Sequence, residues 1–584
     1  MQFQETEYKL VEKILLGNGK FNKLQREFIE LNETKTIVAG PGTGKTTALA
    51  AKIVLVLRHL NRIGSKDGLC IITHTNVAVN EINNALQQAG IGSIAHPHFI
   101  GTIHEFFNHF CVLPLYKYIF KINKLTFDVE HESDKEFYKA FLAQRYQWMN
   151  KPQYSNVKEW IANRIHDSKL VVNKETEGIE MVNSTSWEKF DNYSATMWQA
   201  KLSRKKQGFL TYDDTFLFSR FFLLDSRFKS MLQSRFKYVF LDEYQDTTPD
   251  GADLLEEIFG IENIIFQKIG DPYQTIVYGQ PIPKIDEEQT FRLNLTNRFG
   301  VEIAEHLNII MPQANVQTSS DKKSFTPIIL LYENEQDIYT RYRTLIQEYE
   351  LSHTSFKENT KEDKVLVWAR HWASILKPGS VYKNKKPRKL ESLNVLLKTL
   401  IVDFIAQKIV DNDGNISESK EWVTKHPKVN QLNKILLSIL KSGINDEMKQ
   451  ALNDFVNELL EEKGLNRIDI NNYLFSQLED ETQHTTFNLE ESIGPVNDIF
   501  TIHSVKGETL RSVLVVDFID KPLTNILLHK YGVNKEATYL YTDHNLLYVA
   551  MSRVTHLFVF AMHKRDWTTE VCNKLKNNWT VLEV

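Results

Sequence analysis

The sequence predicts an α/β protein with parallel sheets, interrupted by two mainly helical insertions. Three observations predict this class. The chain has 584 residues, enough for several domains at roughly 100–200 residues each. Short apolar runs followed by amphipathic stretches recur in the first third and near the end, as expected for strands that alternate with helices. The stretches 104–206 and 372–496 lack this alternation and have apolar residues at helical spacing instead.

The apolar runs have the length of single strands. The predicted strands are Thr36–Ala39, Leu69–Thr73, Tyr238–Leu241, Ile264–Ile269, Val365–Trp368 and Val513–Val516. In the second helical stretch, the predicted helices are Leu390–Val410, Val429–Leu440 and Met448–Leu460.

Composition excludes several classes of protein. Hydrophobic residues make up 42% and charged residues 25% of the chain, which is ordinary for globular domains. The net charge of −4 gives no overall basic field, so contact with nucleic acid would depend on local patches. Cys70, Cys111 and Cys572 are far apart, which argues against a zinc ribbon, an iron–sulfur cluster or a disulfide framework. The N-terminus lacks a basic-then-apolar leader and no long apolar run follows, so we expect a cytoplasmic protein without a membrane anchor.

A glycine-rich turn follows the first predicted strand. Residues 39–46 read Ala-Gly-Pro-Gly-Thr-Gly-Lys-Thr and lead into a helix at Thr47. This is a P-loop pattern, in which backbone N–H groups surround phosphates, Lys45 reaches the β- and γ-phosphates and Thr46 ligates Mg²⁺. The alternative is a strand–helix turn without a nucleotide. The predicted nucleotide contacts here are Gly40, Gly42, Gly44, Lys45, Thr46 and Thr47.

An acidic pair follows the strand Tyr238–Leu241. Asp242 is the candidate Mg²⁺ ligand, and Glu243 is the candidate base that orients and deprotonates the attacking water. An acidic pair after a strand is also common in solvated loops. Its position downstream of a P-loop favours a second nucleotide motif.

The acidic segment extends the pattern to Asp-Glu-x-Gln-Asp at residues 242–246. This segment resembles the second nucleotide motif of UvrD/Rep-type superfamily 1 DNA helicases. Upstream, residues 21–27 are similar to the Q motif of that family, and the resemblance implies that Gln25 reads the adenine edge. Residues 72–76 and 99–104 resemble motifs Ia and Ib, which face single-stranded DNA in the family. Residues 210–214 resemble the segment that returns to the first motor domain after its insertion.

Motifs III and IV match the family only in part. In Gly270–Ile276, the resemblance implies that Gln274 senses the γ-phosphate. Residues 277–281 then depart from the usual sequence, and Tyr278 is either a substitute base-stacking platform or a packed loop residue. Arg298 falls at the arginine of motif IV, a γ-phosphate contact. Asn297 stands where the family has an aromatic that stacks on adenine, and Phe299 is the candidate substitute.

Residues 501–508 resemble motif V of the family, and residues 546–553 resemble motif VI. Glu508 arrives one residue earlier than the family glutamate that contacts the nucleotide site. Arg553 falls at the arginine finger, which stabilises charge on the transferring phosphoryl group. The alternative role for Arg553 is a surface ion pair.

The resemblance implies two RecA-like P-loop NTPase domains with Mg·ATP in the cleft between them. The first domain would comprise residues 1–105 and 208–290, with a helical insertion at 106–207. The second would comprise residues 291–371 and 497–584, with a reduced helical insertion at 372–496. The basic runs 204–206 and 383–389 are either phosphate contacts or solvated loops.

The implied activity is that of an ATP-dependent DNA helicase or translocase, moving 3′ to 5′ on single-stranded DNA or a tailed duplex. Three alternatives stay open: a DNA-stimulated ATPase that acts as a sensor or scaffold without unwinding, a stand-alone repair helicase, and a P-loop ATPase unrelated to nucleic acid, such as a small-molecule kinase. The short second insertion and the short segment after residue 553 resemble the helicase subunit of Gabija-type antiphage systems. That resemblance implies a separate endonuclease partner of the OLD/TOPRIM kind.

Overall fold

A computed structural model provides the structure of the chain. The residues that it describes are 3–74, 76–92, 94–127, 131–173, 175–176, 178–182, 192–276, 283, 285–319, 321–368, 372–377, 390–410, 416–442, 444–468, 475, 499–518, 522–530 and 543–584. They divide into two compact units. The larger unit comprises Met1–Trp372 and Phe500–Val584, and the smaller unit comprises Ala373–Ile499.

The first sheet has six strands. In chain order they are β1 (Lys35–Ala39), β2 (Gly68–Thr73), β3 (Phe99–Thr102), β4 (Phe236–Asp242), β5 (Ile265–Gly270) and β6 (Thr290–Leu293). Their order across the sheet is β6-β1-β5-β4-β2-β3, and neighbouring strands run parallel. The carboxyl ends of β1, β5 and β4 are therefore adjacent, the usual place for a ligand in an open parallel sheet.

The second sheet also has six strands. They are β7 (Ile328–Tyr332), β8 (Asp363–Val367), β9 (Ile499–Thr501), β10 (Leu510–Val516), β11 (Val554–His563) and β12 (Thr580–Glu583), in the order β9-β8-β10-β11-β7-β12. The two parallel sheets confirm the predicted α/β class and are consistent with two RecA-like domains.

Helices cover both sheets. Around the first sheet lie Glu5–Leu16, Lys23–Glu30, Lys45–Ile63, Asn76–Gln88, Ile103–Phe107, Tyr212–Leu223, Ser226–Arg235 and Pro249–Phe259. Around the second lie Val301–Ile310, Glu335–Ser352, Thr354–Glu358, Pro522–Asn525, Asp543–Met551 and Thr569–Leu575, with a π-helix at Ile526–Lys530. Single 3₁₀ turns occur at Tyr244–Asp246, Pro272–Gln274, Glu287–Gln289, Pro312–Ala314, Ile502–Val505 and Lys564–Asp566. A two-stranded parallel pair joins Leu295–Thr296 to Gln317–Thr318.

The first insertion is mainly helical, as predicted, but it also contains strands. Its helical segments are Asn108–Val112, Leu113–Leu115, Tyr116–Phe120, His131–Arg145, Gln147–Asn150, Pro152–Tyr154, Ser155–Asp167 and Ser194–Lys206. Lys169–Asn173 and Gly178–Val182 form an antiparallel hairpin, and Thr126–Phe127 pairs with Phe209–Leu210. The hairpin departs from the helical spacing because its β-branched residues favour strands. The Asn173 side chain also accepts hydrogen bonds from the N–H groups of Glu175 and Thr176, which closes the turn.

The smaller unit is helical in its described part. Its helices are Ala373–Leu376, Leu390–Val410, Ile416–Lys425, Val429–Ser442 and Asp446–Glu462. The last four helices contribute to one apolar core, which includes Leu397, Val423, Leu436 and Phe455. The three helices predicted from apolar spacing are confirmed.

All six predicted strands are confirmed, as β1, β2, β4, β5, β8 and β10. Strands β2 and β10 are buried along their whole length, which explains the apolar run that each contains. The apolar core of the second sheet also includes Val38, Tyr273 and Ile276 from the first sheet and the turn after it. The two sheets are therefore joined by packed side chains as well as by the chain. Along the described part of the chain, no helix combines the length and apolar character needed to cross a bilayer.

Candidate active site

The glycine-rich turn joins β1 to the helix Lys45–Ile63. Gly42 and Gly44 both have φ of +74°, a left-handed conformation that glycine adopts without strain. A Cβ at Gly42 would lie 2.5 Å from the Arg298 Cβ and 2.5 Å from the Thr296 Oγ1. The Asn297 N–H donates to the Gly42 carbonyl at 2.9 Å. The loop that carries the predicted motif IV arginine therefore contacts the P-loop backbone directly.

Gln25 lies on the opposite side of the P-loop. Its Nε2 donates to the Thr43 carbonyl at 2.8 Å, and its Oε1 accepts from the Asn22 N–H at 2.9 Å. A Cβ at Gly44 would lie 2.7 Å from the Gln25 Nε2. The side-chain amide thus fixes the P-loop to the start of helix Lys23–Glu30. Recognition of adenine by Gln25 stays a prediction.

Lys45 and the acidic pair meet at the carboxyl end of β4. The Lys45 Nζ lies 2.8 Å from the Asp242 Oδ1 and 2.5 Å from the Glu243 Oε1. Burial works to lower the pKa of Lys45, but the two carboxylates raise it above its ordinary value. Burial also works to raise the pKa of Glu243, but the Lys45 ammonium lowers it, so Glu243 is ionised at neutral pH. An ionised carboxylate at this position is able to accept a proton.

Glu243 begins a tight turn that ends at Asp246. Its φ of +51° is left-handed, which is unusual for a residue with a side chain. The Gln245 side chain bonds to the Glu243 Oε2 and to the Asp271 N–H. Sequence reasoning did not assign Gln245 a role, although it is part of the Asp-Glu-x-Gln-Asp pattern. The two contacts connect the end of β4 to the end of β5.

Arg553 reaches the first sheet from the start of β11. One guanidinium nitrogen, Nη2, donates to the Gln274 Oε1 at 2.7 Å and to the Ser552 Oγ at 2.9 Å, while Nε donates to the Val549 carbonyl at 3.0 Å. Burial lowers the pKa of Arg553 to about 10, so the side chain is still protonated at neutral pH. The structure thus places the predicted arginine finger against the predicted phosphate sensor.

Arg298 lies beside Arg553. Its Nη1 donates to the Ser552 carbonyl at 2.7 Å. Burial, together with the positive charge of Arg553, lowers the pKa of Arg298 to about 9. Among the residues that the structure describes, neither guanidinium forms an ion pair with a carboxylate. Two adjacent half-buried or buried cations of this kind favour an anionic ligand.

Glu508 and Lys506 occupy the turn between β9 and β10. The Glu508 carboxylate accepts a hydrogen bond from the Lys364 Nζ at 2.6 Å. A contact between Glu508 and the nucleotide stays a prediction. The neighbouring Lys506 Nζ lies 2.6 Å from the Asp246 Oδ1, which sequence reasoning missed. This ion pair joins motif V to the turn that follows Glu243.

The turn after β5 receives two more contacts from the second sheet. The Asn545 Nδ2 donates to the Tyr273 carbonyl at 2.8 Å, and the His503 Nε2 lies 3.0 Å from the Ile276 carbonyl. Neither residue was a predicted site residue. With Arg553 on Gln274, three residues from the segments around the second sheet hold this turn.

The predicted DNA-facing motifs end strands β2 and β3. His74 follows β2, and His104 lies just after β3, with its ring centroid 5.4 Å from that of Tyr212. Tyr212 is 53% exposed. An exposed ring beside the His104 imidazole is chemically suited to stack on bases. Thr75 of motif Ia and Tyr278 after motif III lie outside the described residues. Phe299, the candidate adenine contact of motif IV, is fully buried in the apolar core, so stacking on a nucleotide base does not apply to it.

The basic run 204–206 does not form one phosphate-binding surface. The Arg204 Nε lies 2.9 Å from the Asp134 Oδ1, and the Lys205 Nζ lies 2.7 Å from the Asp214 Oδ2. Both cations are buried, so the phosphate-contact alternative was wrong for them, and only Lys206 is exposed. The Arg204–Asp134 pair joins two helices of the first insertion, and the Lys205–Asp214 pair fastens the insertion to the segment that returns to the first sheet. The second basic run, residues 383–389, lies outside the described residues.

We expect Asp214→Asn to lower the free energy of unfolding by about 3–5 kcal/mol, because it leaves the Lys205 ammonium buried without its nearest carboxylate. Asp213→Asn is the matched control, since Asp213 is the neighbouring residue and is exposed. Chemical denaturation of the two variants measures the difference. Equal stability of both variants would show that the buried pair does not hold the insertion.

A divalent cation fits this site only together with its nucleotide. No described group of three or more His, Cys, Asp or Glu side chains is arranged to hold a metal ion. Asp242 and Glu243 nevertheless carry two negative charges against the single Lys45 ammonium. Mg²⁺ is commonly held by one or two protein ligands plus phosphate oxygens and water. The donor set therefore suits a metal that arrives with a phosphate ligand.

Comparison with known proteins finds a family that part of the chain is similar to. Residues 21–279 match the family described as UvrD/REP helicase N-terminal domain. This stretch contains the P-loop, the acidic pair and the turn with Gln274.

Three relatives show the same distant similarity. The chain is 26% identical over 268 residues to the ATP-dependent DNA helicase srs2 of Schizosaccharomyces pombe, covering 42% of this chain and 28% of that protein. It is 26% identical over 266 residues to SRS2 of Saccharomyces cerevisiae, covering 41% and 21%. It is 22% identical over 287 residues to the probable DNA helicase II homolog of Mycoplasma capricolum, covering 48% and 37%. The matched region thus spans less than two fifths of each of these relatives.

Proposed function

We propose that this protein is an ATP-driven DNA motor that hydrolyses ATP in the cleft between the two sheets. One observation carries the proposal. Lys45, Asp242 and Glu243 meet at the end of β4, beside the P-loop that the Arg298 loop contacts at Gly42. Arg298 and Arg553 both contact Ser552, and Arg553 also bonds to Gln274. A site completed by two domains links hydrolysis to domain movement.

The proposed roles follow from charge and position. Lys45 and the P-loop N–H groups bind the β- and γ-phosphates, and Thr46 and Asp242 would hold Mg²⁺, which supplies charge neutralisation on the phosphates when bound. Glu243 accepts a proton from the attacking water. Gln274 contacts the γ-phosphate, and Arg298 and Arg553 stabilise the charge that develops on the transferring group. Glu508 supports the second-domain side of the site from its contact with Lys364.

The proposed DNA path crosses the carboxyl ends of β2 and β3, where His74, His104 and Tyr212 lie. Tyr212 is the exposed aromatic on which a base would stack. Movement from 3′ to 5′ on single-stranded DNA is supported by the motif resemblance alone. DNA as the substrate is also supported by the relatives, which are DNA helicases by name.

Lys45→Ala should weaken ATP binding about 10- to 100-fold, because it removes a hydrogen bond to a charged group worth roughly 1.5–3 kcal/mol. The variant also leaves Asp242 and Glu243 to repel the phosphates. Titration with a fluorescent ATP analogue measures the affinity. Lys52→Met is the control, since Lys52 is buried on the same helix but bonds to the Phe28 and Leu31 carbonyls. Equal affinity of wild type and Lys45→Ala would remove Lys45 from the site.

The main test is steady-state ATPase activity with and without single-stranded DNA, followed by strand displacement from duplexes with a 3′ or a 5′ tail. We expect DNA to stimulate turnover and the 3′-tailed duplex to be opened. ATPase activity unaffected by DNA would favour an enzyme unrelated to nucleic acid. Stimulation without displacement would favour the second candidate, a DNA sensor or scaffold, which the departure from the family sequence at residues 277–281 supports.

The finer proposal is that the motor acts with a separate OLD/TOPRIM-type endonuclease in phage defence. It is supported by the short second insertion and by the resemblance to Gabija-type helicase subunits. Copurification from the native host at physiological salt tests the partner, and phage plating on a deletion strain tests the pathway. A protein that purifies alone, from a host whose phage sensitivity does not change on deletion, would instead support a stand-alone repair helicase.

A further inference from the structure

We propose that Gln245 is a positioning residue for hydrolysis, which holds the Glu243 carboxylate and connects it through motif III to Arg553. This inference rests on the proposed function, in which Glu243 activates the attacking water. Neither the family motifs nor the relatives assign a role to Gln245. The argument comes from four hydrogen bonds in the described part of the chain.

The Gln245 side chain is buried and uses both ends of its amide. Its Nε2 donates to the Glu243 Oε2 at 2.5 Å, and its Oε1 accepts from the Asp271 N–H at 3.1 Å. The residue is 2% exposed. Gln245 therefore ties the Glu243 carboxylate to the backbone that follows β5, independently of solvent.

Each Glu243 oxygen has one donor. Lys45 lies 2.5 Å from Oε1, and Gln245 lies 2.5 Å from Oε2. When Lys45 turns to the phosphates of a bound nucleotide, as the proposed function requires, Gln245 is the donor that still holds the carboxylate. The left-handed φ of Glu243 makes this support more important, since such a conformation persists only when surrounding contacts fix it.

Gly270 makes room for this arrangement. A Cβ at residue 270 would lie 2.0 Å from the Gln245 Oε1 and 2.8 Å from the Tyr244 Cδ1. Any other residue would displace the amide from its present position. The close approach of the Gln245 side chain thus explains why residue 270 is a glycine.

The same amide connects Glu243 to the second domain. The Asp271 Oδ2 accepts from the Gln274 Nε2 at 2.7 Å, and the Gln274 Oε1 accepts from the Arg553 Nη2 at 2.7 Å. Continuous hydrogen bonds thus lead from Arg553 through Gln274, Asp271 and Gln245 to Glu243. Movement of Arg553 as the cleft closes would be transmitted to the carboxylate that activates water.

The test compares Gln245→Ala and Gln245→Glu with Gln267→Ala. Gln267 is a matched control because it is also a buried glutamine and lies within β5. Its Nε2 donates to the Leu31 and Glu33 carbonyls, which are not part of the proposed site. We expect Gln245→Ala to lower kcat about 10- to 100-fold, the scale of a misplaced catalytic group, with the KM for ATP changed less than about threefold. Gln245→Glu should lower kcat further than Gln245→Ala does, because it places a carboxylate oxygen where the N–H donor to Glu243 was. Gln267→Ala should lower the Tm and keep its kcat.

A double variant tests whether Gln245 acts through Glu243. In single-turnover hydrolysis, Glu243→Gln combined with Gln245→Ala should be no slower than Glu243→Gln alone, because the group that Gln245 positions is already lost. Additive losses would overturn the inference. So would an unchanged kcat for Gln245→Ala, or an equal fall of kcat for Gln245→Ala and Gln267→Ala.

Failure of this inference is distinguishable from failure of the proposed function. If Glu243→Gln abolishes turnover while Gln245→Ala turns over like wild type, the inference alone fails. If wild type shows no DNA-stimulated ATPase activity, or Glu243→Gln hydrolyses ATP normally, the proposed function fails and the inference fails with it.

Discussion

Glu243→Gln is expected to bind ATP and to lower its hydrolysis by about 10²–10⁴-fold, the usual contribution of a general base. The amide has the size of the carboxylate but does not accept a proton from water. It also removes a negative charge beside Lys45, so ATP should bind at least as tightly as in wild type. The variant should therefore trap the ATP-bound state.

Two measurements separate binding from chemistry in this variant. Equilibrium titration gives ATP affinity, and phosphate release under single-turnover conditions gives the rate of hydrolysis. Glu256→Gln is the control, because Glu256 pairs with Lys268 at the surface at 3.0 Å. Normal hydrolysis by Glu243→Gln would show that another group activates the water.

The six predicted strands were recognisable because the information for each is local, whereas β3, β6, β7, β9, β11 and β12 were not predicted. Strands β2 and β10 are buried along their whole length, and a continuous apolar run is enough to indicate such a strand. Strand β3 was not predicted as a strand, since Gly101 interrupts its short apolar run. The hairpin at residues 169–182 was missed for a different reason: the surrounding helical spacing outweighed two short β-branched runs.

Candidate nucleotide-site residues are recognisable from sequence when their motif is contiguous, and their role stays a prediction. The P-loop and the acidic pair each lie in one short segment, where glycine spacing and adjacent carboxylates have a direct chemical meaning. Contacts between segments have no such local signal. The bonds from Gln245 to Asp271 and from Lys506 to Asp246 join residues far apart in sequence. The only available signal was the fixed glutamine and second aspartate of Asp-Glu-x-Gln-Asp, which the metal and base roles leave unexplained.

Charge runs were the least informative feature. The sequence Arg204-Lys205-Lys206 suits a solvated loop, a phosphate site and a buried network equally well. Burial is decided by Asp134 and Asp214, which lie in other helices. Pairing of this kind depends on tertiary structure, because an unpaired buried cation is too costly to persist.

Arg553→Ala should lower kcat by about 10³–10⁵-fold, the range for arginine fingers in phosphoryl transfer. The guanidinium is buried and is held by the Val549 carbonyl, the Ser552 hydroxyl and Gln274. Its orientation is thus fixed before the phosphate arrives, which is what makes such a group effective on developing charge. Because its contacts are with neutral groups, its charge is available to the transition state. Arg298→Ala should lower kcat by a similar mechanism, since Arg298 contacts the carbonyl of Ser552, the residue whose hydroxyl holds Arg553.

The arginine prediction requires a control for folding, because a buried side chain is removed. Arg511 provides it: this arginine is also buried in the second domain, but its guanidinium is paired with Asp363 and lies 2.7 Å from Glu350. Arg511→Ala should lower the Tm more than Arg553→Ala does, since it breaks a buried ion pair. Its kcat per folded molecule should nevertheless stay near that of wild type. For Arg553→Ala the order is reversed, with a small change of Tm and a large loss of kcat at nearly constant ATP affinity. An Arg553→Ala protein with wild-type turnover would show that the second domain closes the cleft without contributing charge to hydrolysis.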